Sequence, residues 1–256
     1  TWVKTLNFVD ISDADLDNDT YESAEKQYLQ NNIKQSIPSF KSYISSFPNG
    51  IHALQANFYL AQAYFSEGQE KQSIPNYEYV TAKSRNEFTE QSLARLAQIY
   101  LKTKDYAKTT EVLKRLETEA DYPQNVTYAQ SNLMKTYYEQ KDYTNAVIYA
   151  DKVLANAKAD DKVKADAQII VARSAIQTND EAKARVAYAK LATISKGELA
   201  AEALYYDAYF KNKDGKFEAS NTAVQKLTKD YSGYQYFGAK GLLLMAKNFY
   251  GLKDSY

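Results

Sequence analysis

"KTKDYAKTTEVLKRL" occupies positions 102–116, and "EQKDYTNAVIYADKV" occupies 139–153. Asp105 and Asp142 lie 37 residues apart, as do Tyr106 and Tyr143, and the apolar residues behind them keep the same spacing. A phrase written twice at a fixed offset is the mark of an internal repeat. Small residues carry it along nearly the whole chain. Ala24, Ala61, Ala97, Met134, Ala172, Ala208 and Ala246 follow one another at intervals of 37, 36, 37, 38, 36 and 38. Twelve residues after each of the first six comes Ser36, Ser73, Thr109, Ala146, Ala184 or Ser220.

Four residues beyond those sit Phe40, Tyr77, Leu113, Ala150, Tyr188 and Val224, and three further on Tyr43, Val80, Leu116, Val153, Leu191 and Leu227. All twelve are apolar or aromatic, at a spacing that lays one stripe along a helix. Each unit therefore reads as two antiparallel helices. A small residue on each lets the backbones approach where they cross, and the larger residues fill the space towards the next unit. Breaks such as "SEGQ" (66–69), "QTND" (177–180) and "NKDGK" (212–216) separate the two helices, while "FPNG" (47–50), "YPQN" (122–125) and "YSGY" (231–234) separate units. "KDY" opens a second helix. "QSIPSF" (35–40) and "QSIPNY" (72–77) put prolines in the second helices, where the first turn tolerates the missing N–H best.

The totals agree with a helical array. Among 256 residues there are only 8 glycines and 4 prolines, too few for the many turns of an all-β fold. Lys plus Arg (32) equals Asp plus Glu (32), so there is no cationic excess for nucleic acid. The absence of cysteine excludes disulfides, thiol catalysis and cysteine–zinc sites. No window approaches the roughly 20 apolar residues of a membrane span.

Over roughly 21–256 this pattern resembles the tetratricopeptide repeat, with units two to four residues longer than the usual 34 and without its common tryptophan and glycine, as in "YLAQAYFSEG" (59–68). The resemblance implies an all-α fold, an α-solenoid with a right-handed superhelical turn. It divides into a lead-in or cap at 1–20, units near 21–50, 51–86, 87–123, 124–160, 161–197 and 198–233, and a partial seventh at 234–256. The long unit with an aromatic–proline end is similar to repeats of bacterial cell-envelope proteins that serve outer-membrane assembly and the Tol–Pal system. "AEKQYL", "FTEQSLARLAQIY", "AQSNLMKTYYE" and "AEALYYDAYF" are similar to large repeat proteins of Bacteroidetes.

Sites for chemistry are weak by comparison. Asp13, Asp15, Asp17 and Asp19 alternate like the opening of a calcium loop, but the places for glycine and the bidentate glutamate hold Asn18 and Ala24. An acidic turn before the first repeat helix accounts for them better. "GYQYFGAKG" (233–241) has the glycine spacing of a phosphate loop, yet Ala239 stands at the lysine place. His52 is the only histidine, expected on the surface, and it can build neither a metal cluster nor a triad alone. No enzyme, cofactor or metal is expected.

Of the 24 tyrosines, Tyr43, Tyr77, Tyr100, Tyr137 and Tyr188 fall at packing positions. One residue past each small anchor come Gln62, Gln98, Lys135, Arg173, Tyr209 and Lys247, and four past it Phe65, Leu101, Tyr138, Ile176, Asn212 and Tyr250. The resemblance places these on the concave groove, implying a surface of amides, cations and aromatics that suits protein or peptide segments. The expected function is a non-catalytic protein-binding scaffold of the periplasm or outer membrane, with the cytoplasm as the alternative compartment. A carbohydrate-binding protein using tyrosines as stacking platforms is the alternative function. The sequence begins at Thr1 without a methionine or signal segment, so the expectation is that a leader has been removed or that this is a piece of something longer, and "LLLMAKNFYGLKDSY" (242–256) reads as a first helix without its partner. The expectation is therefore a longer natural array, with the uncovered last helix of this piece hidden either by self-association or by folding back.

Overall fold

The computed structural model describes residues 13–252. Every regular element among them is a helix. In chain order these are α1 (Asp13–Leu29), α2 (Ile33–Ser46), α3 (Ala53–Ser66), α4 (Glu70–Ala82), α5 (Thr89–Thr103), α6 (Tyr106–Glu119), α7 (Pro123–Glu139), α8 (Tyr143–Ala155), α9 (Asp161–Gln177), α10 (Glu181–Ile194), α11 (Gly197–Lys213), α12 (Phe217–Asp230) and α13 (Gln235–Leu252). Of the expected lead-in at 1–20, residues 1–12 lie outside the described residues, as does the closing "KDSY", while 13–20 are already the start of α1. The chain divides into two compact units between Ala129 and Gln130, inside α7.

In the first unit α1 packs on α2, α3 on α4 and α5 on α6, with α2 against α3 and α4 against α5 joining the pairs. In the second unit α9 packs on both α8 and α10, α11 on α12, and α13 on both α11 and α12. Neighbours in sequence are neighbours in space, as a solenoid requires. The predicted register holds. The first six anchors and the six small residues twelve places later are fully buried, as are all twelve apolar positions behind them. Ala246, the seventh anchor, is exposed, because no helix follows α13 to pair with it among the described residues; Leu242 and Leu243 stand in solvent beside it.

The turn inside each pair is built the same way six times. Asn31, Gly68, Lys104, Lys141, Asn179 and Gly215 all have positive φ, between 56° and 73°, and each lies seven residues after its anchor. In three pairs an aspartate follows and caps the second helix. Asp105 Oδ1 accepts from Lys108 N (3.1 Å), Asp142 Oδ1 from Asn145 N (3.1 Å) and Asp180 Oδ1 from Lys183 N (3.0 Å). "KDY" is thus a left-handed lysine, an N-cap and the first helical residue.

Three details differ from the sequence reading. Pro38 and Pro75 sit at the sixth positions of α2 and α4, inside the helices and not in the first turn, so the carbonyls of Lys34 and Lys71 lack their usual donors. The four aspartates of 13–19 belong to a helix and not to a loop. Asp17 is buried and accepts from Tyr43 Oη (2.6 Å) and Ile51 N (3.0 Å), which tie α1 to the start of the second pair. His52 is half-buried, stacked on Tyr21 at 4.2 Å with Nε2 and Asn18 Oδ1 2.9 Å apart. Both residues serve packing between α1 and the next pair.

Candidate functional site

The predicted groove positions fall on the first helix of each pair, one stripe at helical spacing. In the second unit α7, α9, α11 and α13 bring Tyr138, Arg173 and Ile176 into one cleft of about 270 Å³, together with Glu202, Tyr206, Tyr236 and Lys240. Its base is a carboxylate. Glu202 is buried, receives the Arg173 guanidinium on both oxygens (Nε 3.0 Å, Nη2 2.7 Å) and accepts a third hydrogen bond from Tyr188 Oη at 2.8 Å. Such forked, charge-assisted bonds fix the side chains that make them. The carboxylate holds the Arg173 cation above its ordinary range, and burial with the Glu202 charge beside it holds the Tyr188 hydroxyl well above the usual phenol value.

Aromatic rings form the walls. Tyr206 stacks on Tyr188 at 4.1 Å, and burial pushes its hydroxyl up to about 12. Lys240 lies over the rings of Tyr205 (4.5 Å), Tyr236 (5.3 Å) and Tyr206 (5.8 Å). Its ammonium has no ion pair among the described residues. A cation facing ring quadrupoles is stabilised by about 0.5–2 kcal/mol and remains available to an external carboxylate.

The first unit offers a different face. A cleft of about 530 Å³ is lined by Arg85, Glu90, Arg95, Gln98 and the 121–125 turn. Glu90 accepts from Asp121 N (3.0 Å), Tyr122 N (3.2 Å) and Asn125 Nδ2 (2.6 Å), which makes it the acceptor for the start of α7. Arg85 pairs with Asp121. Arg95 lies 4.5 Å over the Phe65 ring and donates to Gln98 Oε1 at 3.1 Å, while its buried Nε has no hydrogen-bond partner.

The remaining predicted positions are scattered in role. Gln62 is buried and its Oε1 accepts from Tyr77 Oη (2.7 Å), so its amide belongs to the first-unit core. Leu101 is half-buried. Lys135 is exposed and pairs with Asp166 at 2.8 Å. Tyr209 joins the rings of Tyr205, Tyr206 and Phe210, and Asn212 donates to the buried Asn248. Lys247 and Tyr250 are exposed on α13. The sequence reading missed Glu202, Tyr206, Lys240 and Arg95. The signal was present: the stripe through the places one and four after each anchor continues to the places two and six before it. Arg95 and Tyr206 stand two before their anchors, and Glu202 and Lys240 six before.

No residues among those described form a metal-binding cluster, and none of the helices is long and apolar enough to cross a membrane.

No protein-family model matches the chain, and no curated protein matches it. Solved structures do. A chain of Naa15/Naa10 bound to HypK-THB aligns with a TM-score of 0.54 over 93% of this chain and 34% of that one, at 12% identity. A tetratricopeptide repeat protein from Parabacteroides merdae gives 0.49 over 91% of both chains at 13% identity. PilF of Pseudomonas aeruginosa gives 0.45 over 90% of this chain and 100% of that one, at 19% identity. Helix pairing, unit length and buried small residues at the crossings define an all-α solenoid of the tetratricopeptide type.

Proposed function

We propose that this chain is a non-catalytic scaffold that binds protein segments on the stripe of its first helices, as part of a bacterial cell-envelope assembly. The observation that carries the binding role is the second-unit cleft. A buried Glu202 locks Arg173 and Tyr188 in place, and around them Tyr138, Tyr206, Tyr236 and Lys240, which has no ion pair among the described residues, line the opening. Rigid aromatics supply contact area at small entropic cost, and a fixed cation orients a passing segment. The envelope part rests on the likeness of the long unit to repeats of envelope proteins.

A peptide array probed with the purified chain, and with its Tyr206→Ala and Lys240→Glu variants, tests the binding role. Captured segments should lose roughly tenfold or more in affinity with either variant. Equal capture by all three proteins would sink the reading. Tyr236, exposed at the same opening, is the best platform for the carbohydrate alternative. Glycan binding abolished by Tyr236→Ala, with no peptide captured, would put that alternative in its place. Fractionation of cells producing the full-length protein tests the compartment, and recovery in the cytosol alone would overturn it.

A further inference from the structure

The second unit carries another cleft, of about 570 Å³, that shares no residue with the tyrosine-lined one. It lies where the ends of α8 and α10 meet the starts of α9 and α11. Its floor is apolar, from Leu154, Leu191, Leu199 and Ile194, and Ile194 remains 54% exposed. Its rim is cationic: Lys164, Lys190 and Lys196 face it against the single carboxylate of Asp161. None of these four charged groups has an ion pair among the described residues.

Two further features lie beside the rim. Ser195 lines the cleft, and its buried Oγ has no hydrogen-bond partner among the described residues. Next to it α11 begins after Lys196, whose side chain makes no capping hydrogen bond. Three ammonium groups against one carboxylate favour oxygens bearing negative charge. The floor favours bulky apolar groups. Aspartates or glutamates flanking leucine-like side chains meet both demands at once.

We propose that this cleft docks an acidic, apolar-bearing segment of a partner protein, at a site separate from the first-helix stripe. The chain then holds two segments at once, one over tyrosines and one over lysines, and the second is the more sensitive to salt.

Fluorescence anisotropy tests this with two short labelled peptides, one carrying glutamates and leucines at helical spacing and one carrying lysines in place of the glutamates. The glutamate peptide should bind, more weakly as salt rises, and the lysine peptide should not. Reversing Lys164, Lys190 and Lys196 to glutamate together should weaken binding by roughly tenfold or more. The milder pair Lys190→Gln and Lys196→Gln should show a smaller loss while keeping helical circular dichroism. Ile194→Ser should weaken binding without changing its dependence on salt. Tyr206→Ala should leave it unchanged, which separates this site from the stripe. The proposal is overturned if both peptides bind alike, if neither binds, if the lysine variants retain full affinity, or if Tyr206→Ala is the variant that abolishes binding.

Discussion

Arg95 in the first unit and Arg173 in the second each stand beside the small anchor of a first helix, α5 and α9, yet they do opposite things. Arg173 is forked onto the buried Glu202 and has become part of the framework. Arg95 has an aromatic ring beneath it, a glutamine beside it and no ion pair among the described residues. A buried acid converts a surface cation into a strut. Counting cations along such a face therefore overstates the charge it offers: Lys135 and Arg173 are both spent internally, and Lys240 supplies the free charge of the second-unit cleft.

Raising the pH should blur this contrast and produce the largest change of all, because it acts on both units. Burial holds Tyr21, Tyr43 and Tyr77 in the first unit and Tyr188 in the second above the ordinary phenol range, with Tyr100 and Tyr206 pushed up to about 12. Unfolded tyrosines release their protons near pH 10. Above that pH the folded chain binds more protons than the unfolded one. The tyrosine contribution is therefore complete below about pH 10 and drains away as pH climbs through the raised values. Urea midpoints measured near pH 8 and near pH 11 should differ clearly, and identical midpoints would refute the burial argument.

Substituting the two arginines tests the contrast directly. Arg173→Met leaves the buried Glu202 charge with the Tyr188 hydrogen bond and no cation, which should cost about 2–4 kcal/mol, moderated because the Arg173 side chain is 44% exposed. Arg95→Met should change stability by no more than about 0.5 kcal/mol. Adding Glu202→Gln to Arg173→Met should restore part of the loss. Denaturant titration reads all three, and equal costs at the two arginines would erase the distinction between strut and free cation.

Crossings should behave alike in both units. Ala97→Leu on α5 and Ala172→Leu on α9 enlarge fully buried contacts and should each cost about 1–3 kcal/mol. Lys158→Leu on the surface should stay within about 0.5 kcal/mol. A thermal melt unaffected by either alanine change would show that the repeat register is misassigned. The smallest effect belongs to the turns. Lys104→Gly and Lys141→Gly relieve a left-handed backbone and should each gain about 0.5–1 kcal/mol, while Gly68→Ala should lose a similar amount.

The array was legible because its physics is periodic. Close helix crossings demand small residues, and the demand recurs with every unit, so Ala61, Ala97 and Ala172 betray the register without any structure. The cleft was legible only in part. Tyr138 and Arg173 are found by counting forward from an anchor, but Glu202 and Lys240 lie two turns back on their helices. Glutamate on a helix also usually means a solvated face, and Glu202 is buried only because Arg173 and Tyr188 converge on it from α9 and α10. That convergence joins residues 14 and 29 positions apart, which no local pattern encodes. The lysine-rimmed cleft was invisible for the same reason: its cations come from the start of α9 and, more than twenty residues on, from the α10–α11 junction.

The six left-handed turns have an engineering corollary. From anchor to turn is always seven residues and from turn to the small residue of the second helix always five, while the stretch from there to the next anchor varies between 24 and 26. Length drift is thus confined to the connectors between hairpins. Those connectors are natural splice points, where a hairpin can be excised or a foreign one grafted in frame, whereas a single residue inserted after Lys104 or Lys141 would rotate a whole helix out of register.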